Sequence, residues 1–288
     1  PGRTRRGAVA CWRWSIFRRF HRCAGAFPPL LPVNLNTLNP SGVDAVIVDL
    51  DGTMVDTMGD FNEALNRMLR DLSLPPIAAD QAENMVGKGS EHLLRSVLKH
   101  VLAPVEQAQA AIKIEALFPQ AWARYQHHYL EINGSYSAVY PGVVQGLQAL
   151  QGAGLPLACL TNKPLAFAQP LLQAKGLDGF FARVFGGDSF ERKKPDPLPL
   201  VKTCEALGTS AASTLMLGDS SNDAQAARAA GCPVVLVTYG YNHGQPVRNV
   251  DADGYVDSLE EAGRWLARRC RPRKGASTSG RPAPQGVF

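Results

Sequence analysis

Residues 46–56 read Val46-Ile47-Val48-Asp49-Leu50-Asp51-Gly52-Thr53-Met54-Val55-Asp56. The β-branched run has the composition of a buried strand, and two carboxylates, a glycine and a threonine stand where that strand should end. In open α/β sheets ligands gather beyond the carboxyl ends of strands, so this is the place for a reactive carboxylate pair. One residue separates Asp49 from Asp51, and a strand's period of two turns both toward one side. Each carboxylate raises the cost of charging the other. A divalent cation relieves that repulsion, and an oxygen-donor site with retained waters suits Mg²⁺. Asp49 then serves as a metal-bound nucleophile while Asp51 takes and returns a proton. Gly52 lets the backbone turn sharply and approach a ligand closely. A plainer reading competes, in which the same residues are a strand followed by an Asp-Gly turn.

Downstream, Phe61, Leu65, Met68, Leu69 and Leu72 fall at helical spacing and predict a helix that ends near Pro75-Pro76. Further helices are predicted over 90–101 and 105–131. Nothing in 57–135 reads as a buried parallel strand, so a helical block interrupts the α/β pattern where a lid excluding water would sit. Within it, Val86-Gly87-Lys88-Gly89-Ser90 is either a flexible connection with a solvated charge or a loop whose Lys88 reaches an anionic substrate. Tyr140-Pro141-Gly142-Val143 returns the chain to the α/β pattern and opens a helix through Leu147 and Leu150.

Three more strands end in polar residues. Leu157-Ala158-Cys159-Leu160 runs into Thr161-Asn162-Lys163-Pro164, where the threonine hydroxyl and following N–H groups suit phosphoryl oxygens or a helix cap. The strand 183–188 precedes Arg192-Lys193-Lys194-Pro195-Asp196-Pro197, whose prolines restrict the backbone of the last lysine. Thr214-Leu215-Met216-Leu217 leads to Gly218-Asp219-Ser220-Ser221-Asn222-Asp223 and an alanine-rich helix. A fifth strand covers 232–237, followed by the loop Tyr239-Gly240-Tyr241-Asn242-His243-Gly244, in which His243 reads as a loop residue.

In this order, the segments at Asp49, Thr161, Lys194 and Asp219 resemble the four motifs of the haloacid dehalogenase superfamily, and the resemblance spans about residues 44–260. It implies an α/β fold: a Rossmann-like parallel sheet core with helices on both faces, plus a small α-helical cap domain. The core would comprise 44–57 and 136–262, and the cap 58–135. It also implies a catalytic set of Asp49, Asp51, Thr161 and Lys194, with Mg²⁺ held by Asp49, the Asp51 main-chain carbonyl and Asp219, and with Asp223 in support. Lys194 would balance the carboxylates and the transferring phosphoryl group; Gly52, Thr53, Asn162 and Lys88 would contact substrate. An acid at position 51 corresponds to the superfamily's phosphatases and phosphomutases, not to its dehalogenases or transport ATPases. The cap length and the loops at 86–89, 161–164 and 240–244 look similar to the bacterial phosphoglycolate phosphatases of that superfamily. The implied reaction is hydrolysis of 2-phosphoglycolate through an aspartyl-phosphate. Related small-molecule phosphatases and β-phosphoglucomutase-like mutases share the four motifs, and a catalytically silent binding protein could use the same fold.

Composition bounds these readings. With 45% hydrophobic and 19% charged residues the chain has the make-up of a soluble globular protein, and no apolar run reaches membrane-spanning length. Residues 1–43 carry seven arginines and no acid, and 264–288 carry six arginines, one lysine and no acid. Removing those fourteen charges turns the net +5 into −9 for 44–263. The basic start resembles a transit peptide or a nucleic-acid or membrane-surface segment; it is read as a disordered extension, as is the tail of 263–288 beyond about 271. Nucleic-acid binding through these tails would be salt-sensitive. The six cysteines show no C-x-x-C pair and suit a reducing compartment. A cytoplasmic enzyme acting on a small phosphoester, with no specific nucleic-acid partner and no membrane, is the expectation.

Overall fold

The computed structural model describes residues 42–269. Most of the two basic tails, with Cys11, Cys23 and Cys270, lies outside the described residues.

The β-branched run that opens the sequence forms β1 (Ala45–Val48), and every residue in it is buried. β1 pairs in parallel with β4 (Leu157–Leu160) on one side and β6 (Thr214–Gly218) on the other. The sheet continues outward through β5 (Arg183–Phe185) beyond β4, and through β7 (Val234–Val237) and β8 (Gly254–Val256) beyond β6. The spatial order is β5-β4-β1-β6-β7-β8. The chain leaves β1 toward one side and later returns on the other, so β1 stands at the switch point where α/β folds collect their ligands.

Period-two alternation sorts the strand residues onto two faces. Val46, Val48, Leu215, Leu217, Val235 and Val237 pack with α5 (Val143–Gly152), α6 (Leu165–Ala174) and α9 (Leu259–Arg269). Ile47, Met216 and Leu236 face α7 (Leu198–Leu207) and α8 (Ser221–Ala230). Burying each such side chain contributes roughly 1.5–3 kcal/mol. With both faces covered, the strands are apolar throughout while polar residues collect at their ends.

A separate apolar cluster fills the helical block, built from α1 (Met58–Asp71), the short α2 (Ala79–Glu83), α3 (Ser90–Val101) and α4 (Gln107–Ile132). Phe61, Leu65, Leu94, Val97 and Tyr125 lie at its centre, and Phe167 and Tyr241 join it from the sheet side. Two features lacked a sequence signal. The two-residue strands β2 (Val55–Asp56) and β3 (Ala138–Val139) pair antiparallel where the chain enters and leaves the block, and they are too short to show a period. β8 lacks a long β-branched run for a similar reason.

The core boundary drawn at 262 is corrected, because it falls inside α9. That helix continues to Arg269, and Leu266 is fully buried in the main cluster with Trp265 packed against it. The basic residues there had masked its apolar face. Cys159, Cys204 and Cys232 are buried free thiols. Among the described residues, no helix is long and apolar enough to cross a membrane. Leu266→Ala should therefore cost about 2–5 kcal/mol, measured by denaturant unfolding. A surface-like change below about 0.5 kcal/mol would separate α9 from the core.

Candidate active site

The parallel register brings three strand ends together. Val48 stands opposite Cys159 and Leu217, so the residues that follow β1, β4 and β6 emerge side by side at one edge. Asp49, Thr161 and Asp219 are all buried there. Asp49, Asp51, Thr161, Asn162, Lys194 and Asp219 line one cavity together with residues of the helical block, among them Phe61, Gly87 and Leu93.

Asp49, Asp219 and Asp223 bring carboxylate oxygens to within 4.8 Å of one another. One lysine balances them. Lys194 Nζ donates to Asp223 Oδ1 at 2.7 Å and to the Leu160 carbonyl at 2.9 Å, and lies 3.0 Å from Asp49 Oδ1. That last contact is ionic without hydrogen-bond geometry, and Asp49 Oδ1 is left without a hydrogen-bond partner. Burial pushes the Asp49 carboxyl up to about 7, with Lys194 opposing and Asp223 adding to the rise. Burial likewise holds Asp219 well above the carboxylate range, reinforced by Asp223 and Asp49. Burial disfavours the charge on Lys194, but Asp223 and Asp49 outweigh it and raise the ammonium above the usual lysine value.

Asp51 has different partners. Lys163 Nζ donates to its Oδ1 at 2.9 Å and Oδ2 at 3.1 Å, and the Thr57 hydroxyl donates to Oδ1 at 2.9 Å. Two carboxylates separated by one residue thus have separate cations.

Gly52 has φ +83°, and a Cβ there would lie 2.4 Å from Asp219 Oδ2. Both the turn and the close approach require glycine. Thr53 is fully buried, and its hydroxyl donates to Asp219 Oδ1 at 2.9 Å. The Tyr241 N–H donates to Asp219 Oδ2 at 2.5 Å, so Asp219 is oriented from both sides. Asp223 Oδ2 accepts from the Ser220 hydroxyl and from the N–H groups of Asp219 and Ser220 just before α8, which fixes it behind Lys194. Asn162 Nδ2 donates to the Lys194 carbonyl at 2.8 Å and the Gly87 carbonyl at 3.2 Å. Asn222 Nδ2 also reaches the Gly87 carbonyl, at 3.0 Å.

Lys88 does not line this cavity. It is exposed and lines a neighbouring hollow with Lys193 and Asp196. The loop turns its Gly87 carbonyl toward the two asparagines and leaves the next side chain outside.

Sequence reading gave no role to Lys163, Thr57 or Tyr241. For Lys163 a signal existed, since period-two alternation past β4 places it with Thr161. Thr57 and Tyr241 meet Asp51, Asp56 and Asp219 only through tertiary contacts. His243 packs beneath the cap loop, its Nε2 3.3 Å from Asn222 Nδ2, and burial lowers its pKa.

A family model described as haloacid dehalogenase-like hydrolase matches residues 43–231. The chain belongs to the haloacid dehalogenase-like hydrolases. Among relatives within this hydrolase family, a phosphoglycolate phosphatase of Thiobacillus denitrificans is 44% identical over 77% of this chain and 95% of its own length. A plasmid-encoded phosphoglycolate phosphatase of Cupriavidus necator is 44% identical over 75% of this chain and 90% of its own. The crystal structure of a predicted phosphoglycolate phosphatase from Haemophilus somnus superposes with a TM-score of 0.70 at 30% identity, covering 77% of this chain and 96% of that one.

The acidic centre of this hydrolase fits a hard divalent cation. Its donors are carboxylate oxygens, Asp49 Oδ1 lacks a hydrogen bond, and several acids crowd around one lysine. Without a cation, ionising Asp49 should destabilise the fold. A carboxyl whose folded pKa is raised keeps its proton longer in the native state, so its contribution to stability falls as pH rises from about 4 to about 7 and is level above that. In chelator, Asp49→Asn should therefore melt higher than wild type, with a gap that widens between pH 5 and pH 7. A wild type that melts higher at pH 7 would contradict this electrostatic account.

Proposed function

We propose that this chain hydrolyses 2-phosphoglycolate to glycolate and phosphate, with Asp49 as nucleophile and Asp51 as general acid and base. The observation that carries the division of labour is the separate pairing of the two carboxylates, Asp49 with Lys194 and Asp51 with Lys163. The relatives named above support the substrate.

Asp49 attacks phosphorus, the bond to the glycolate oxygen breaks, and Asp51 delivers a proton to the departing alkoxide. An aspartyl-phosphate on Asp49 results. Asp51, now a carboxylate, takes a proton from the water that attacks this phosphorus, which releases phosphate and restores Asp49. Thr161 and Lys194 hold the phosphoryl oxygens, in keeping with their place around Asp49 in the cavity. Gly52 and Thr53 act through Asp219, which the glycine lets the backbone approach and to which the threonine hydroxyl donates, and Asp223 keeps Lys194 in position. Asn162 lines the same cavity, where its amide holds the Gly87 and Lys194 carbonyls beside the substrate. Mg²⁺ would be held by Asp49, Asp219 and the Asp51 main-chain carbonyl, and when bound it supplies neutralising charge to the nucleophile and phosphoryl oxygens. Cap residues around Phe61 and Leu93 limit water at the reacting centre.

Phosphate release should be Mg²⁺-dependent and strongest with 2-phosphoglycolate in a panel including glucose 1-phosphate, nucleotides and pyrophosphate. Preference for another ester would replace the substrate, and interconversion of a sugar phosphate without net release would replace hydrolysis by a mutase reaction. Asp51→Asn should lower turnover by about 10²–10⁴-fold. Asp49→Asn should abolish it in folded protein, and near-normal turnover in either variant would remove the assigned roles.

A further inference from the structure

Hydrolysis of 2-phosphoglycolate requires recognition of two anionic ends, and the phosphoryl end accounts for only one of the cavity's buried cations. Lys194 donates to Leu160 and Asp223 and lies 3.0 Å from Asp49 Oδ1, all of them groups of the phosphoryl site or its frame. Lys88 lies outside the cavity. Lys163 is a different case. Its side chain is 1% exposed, it lines the cavity, and its ammonium lies 4.4 Å from the centre of the Phe61 ring and 4.7 Å from that of Tyr129. Phe61 comes from α1, Tyr129 from α4 and Lys163 from the end of β4, so the ammonium sits where the helical block meets the sheet.

An ammonium has three donors, and Asp51 engages two. The aromatic faces stabilise the charge without using it up, because they offer no conventional acceptor. We propose that Lys163 determines specificity by binding the substrate carboxylate, and that it also positions Asp51 beside the leaving oxygen. The connection between the roles is geometric. In 2-phosphoglycolate one methylene separates the ester oxygen from the carboxylate, so a cation that touches the general acid also stands within reach of the substrate's second anionic group. This inference rests on the proposed hydrolysis of 2-phosphoglycolate.

The test compares kcat and KM for 2-phosphoglycolate and for its neutral amide, 2-phosphoglycolamide, in wild type, Lys163→Met and Lys163→Arg. The preference for the acid should fall by about 10- to 100-fold in Lys163→Met, chiefly through KM for the acid, as expected for loss of a hydrogen bond to a charged group. Both substrates should also lose kcat as Asp51 loses its clamp, and Lys163→Arg should recover part of the preference. A merely structural lysine would lower kcat for both while leaving the preference within about twofold of wild type, and that result overturns the inference with the substrate reading intact. The preference is a ratio on one preparation, so it does not depend on the folded fraction; Lys163→Gln provides a second uncharged variant should methionine prevent folding. Failure of wild type itself to turn over 2-phosphoglycolate would instead overturn the substrate reading, and the inference with it.

Discussion

The buried contact between Lys194 and the carboxylates of Asp49 and Asp223 is the constraint around which the rest of the site is arranged. Charges removed from water are costly unless paired and hydrogen-bonded. Here one ammonium faces a group of acids that includes Asp219, and the imbalance appears as the raised pKa values of Asp49 and Asp219. Lys194 also holds the Leu160 carbonyl at the end of β4, so the same side chain joins the charge cluster to the strand that delivers Thr161. A uniformly apolar sheet edge would be simpler to stabilise. It would offer neither a nucleophile nor a cation site.

Asp51 escapes that crowding because its neighbours come from elsewhere. Thr57 follows the turn at Gly52, and Lys163 arrives from the adjacent strand end. Neighbouring carboxylates of one strand therefore occupy distinct electrostatic settings, which suits the proposed division between a nucleophile and a proton-transfer group. Sequence spacing brings them together, and tertiary pairing makes them unlike.

Much of this was legible before any coordinates. The apolar runs of β1, β4, β6 and β7 and the polar residues after them predict strand ends and a shared edge, because burial on both faces leaves a strand no other place for polar groups. The α3 bounds of 90–101 fall between Gly89 and the turn that reaches Pro104. Tyr241 was opaque for another reason: its importance lies in what it meets across the fold, and an isolated tyrosine in a loop carries no period, whereas Lys163 shares the period of the strand end before it. Lys88 was misleading because two glycines made its side chain conspicuous, whereas it is the peptide carbonyl beside it that faces the two asparagines.

That carbonyl has a consequence for how the enzyme can change. Asn162 follows β4 and Asn222 belongs to α8, yet both converge on the Gly87 oxygen. The docked loop is thus registered through a main-chain atom, and agreement between two separate elements is needed to hold it fully. No point substitution in the loop deletes a carbonyl, so the exposed Lys88 is free to diverge while the docking geometry persists, whereas Gly87 and Gly89 are held to glycine by their positive φ. Drift at Asn162 or Asn222 is constrained in the opposite way: each is half of a coincidence detector for cap position.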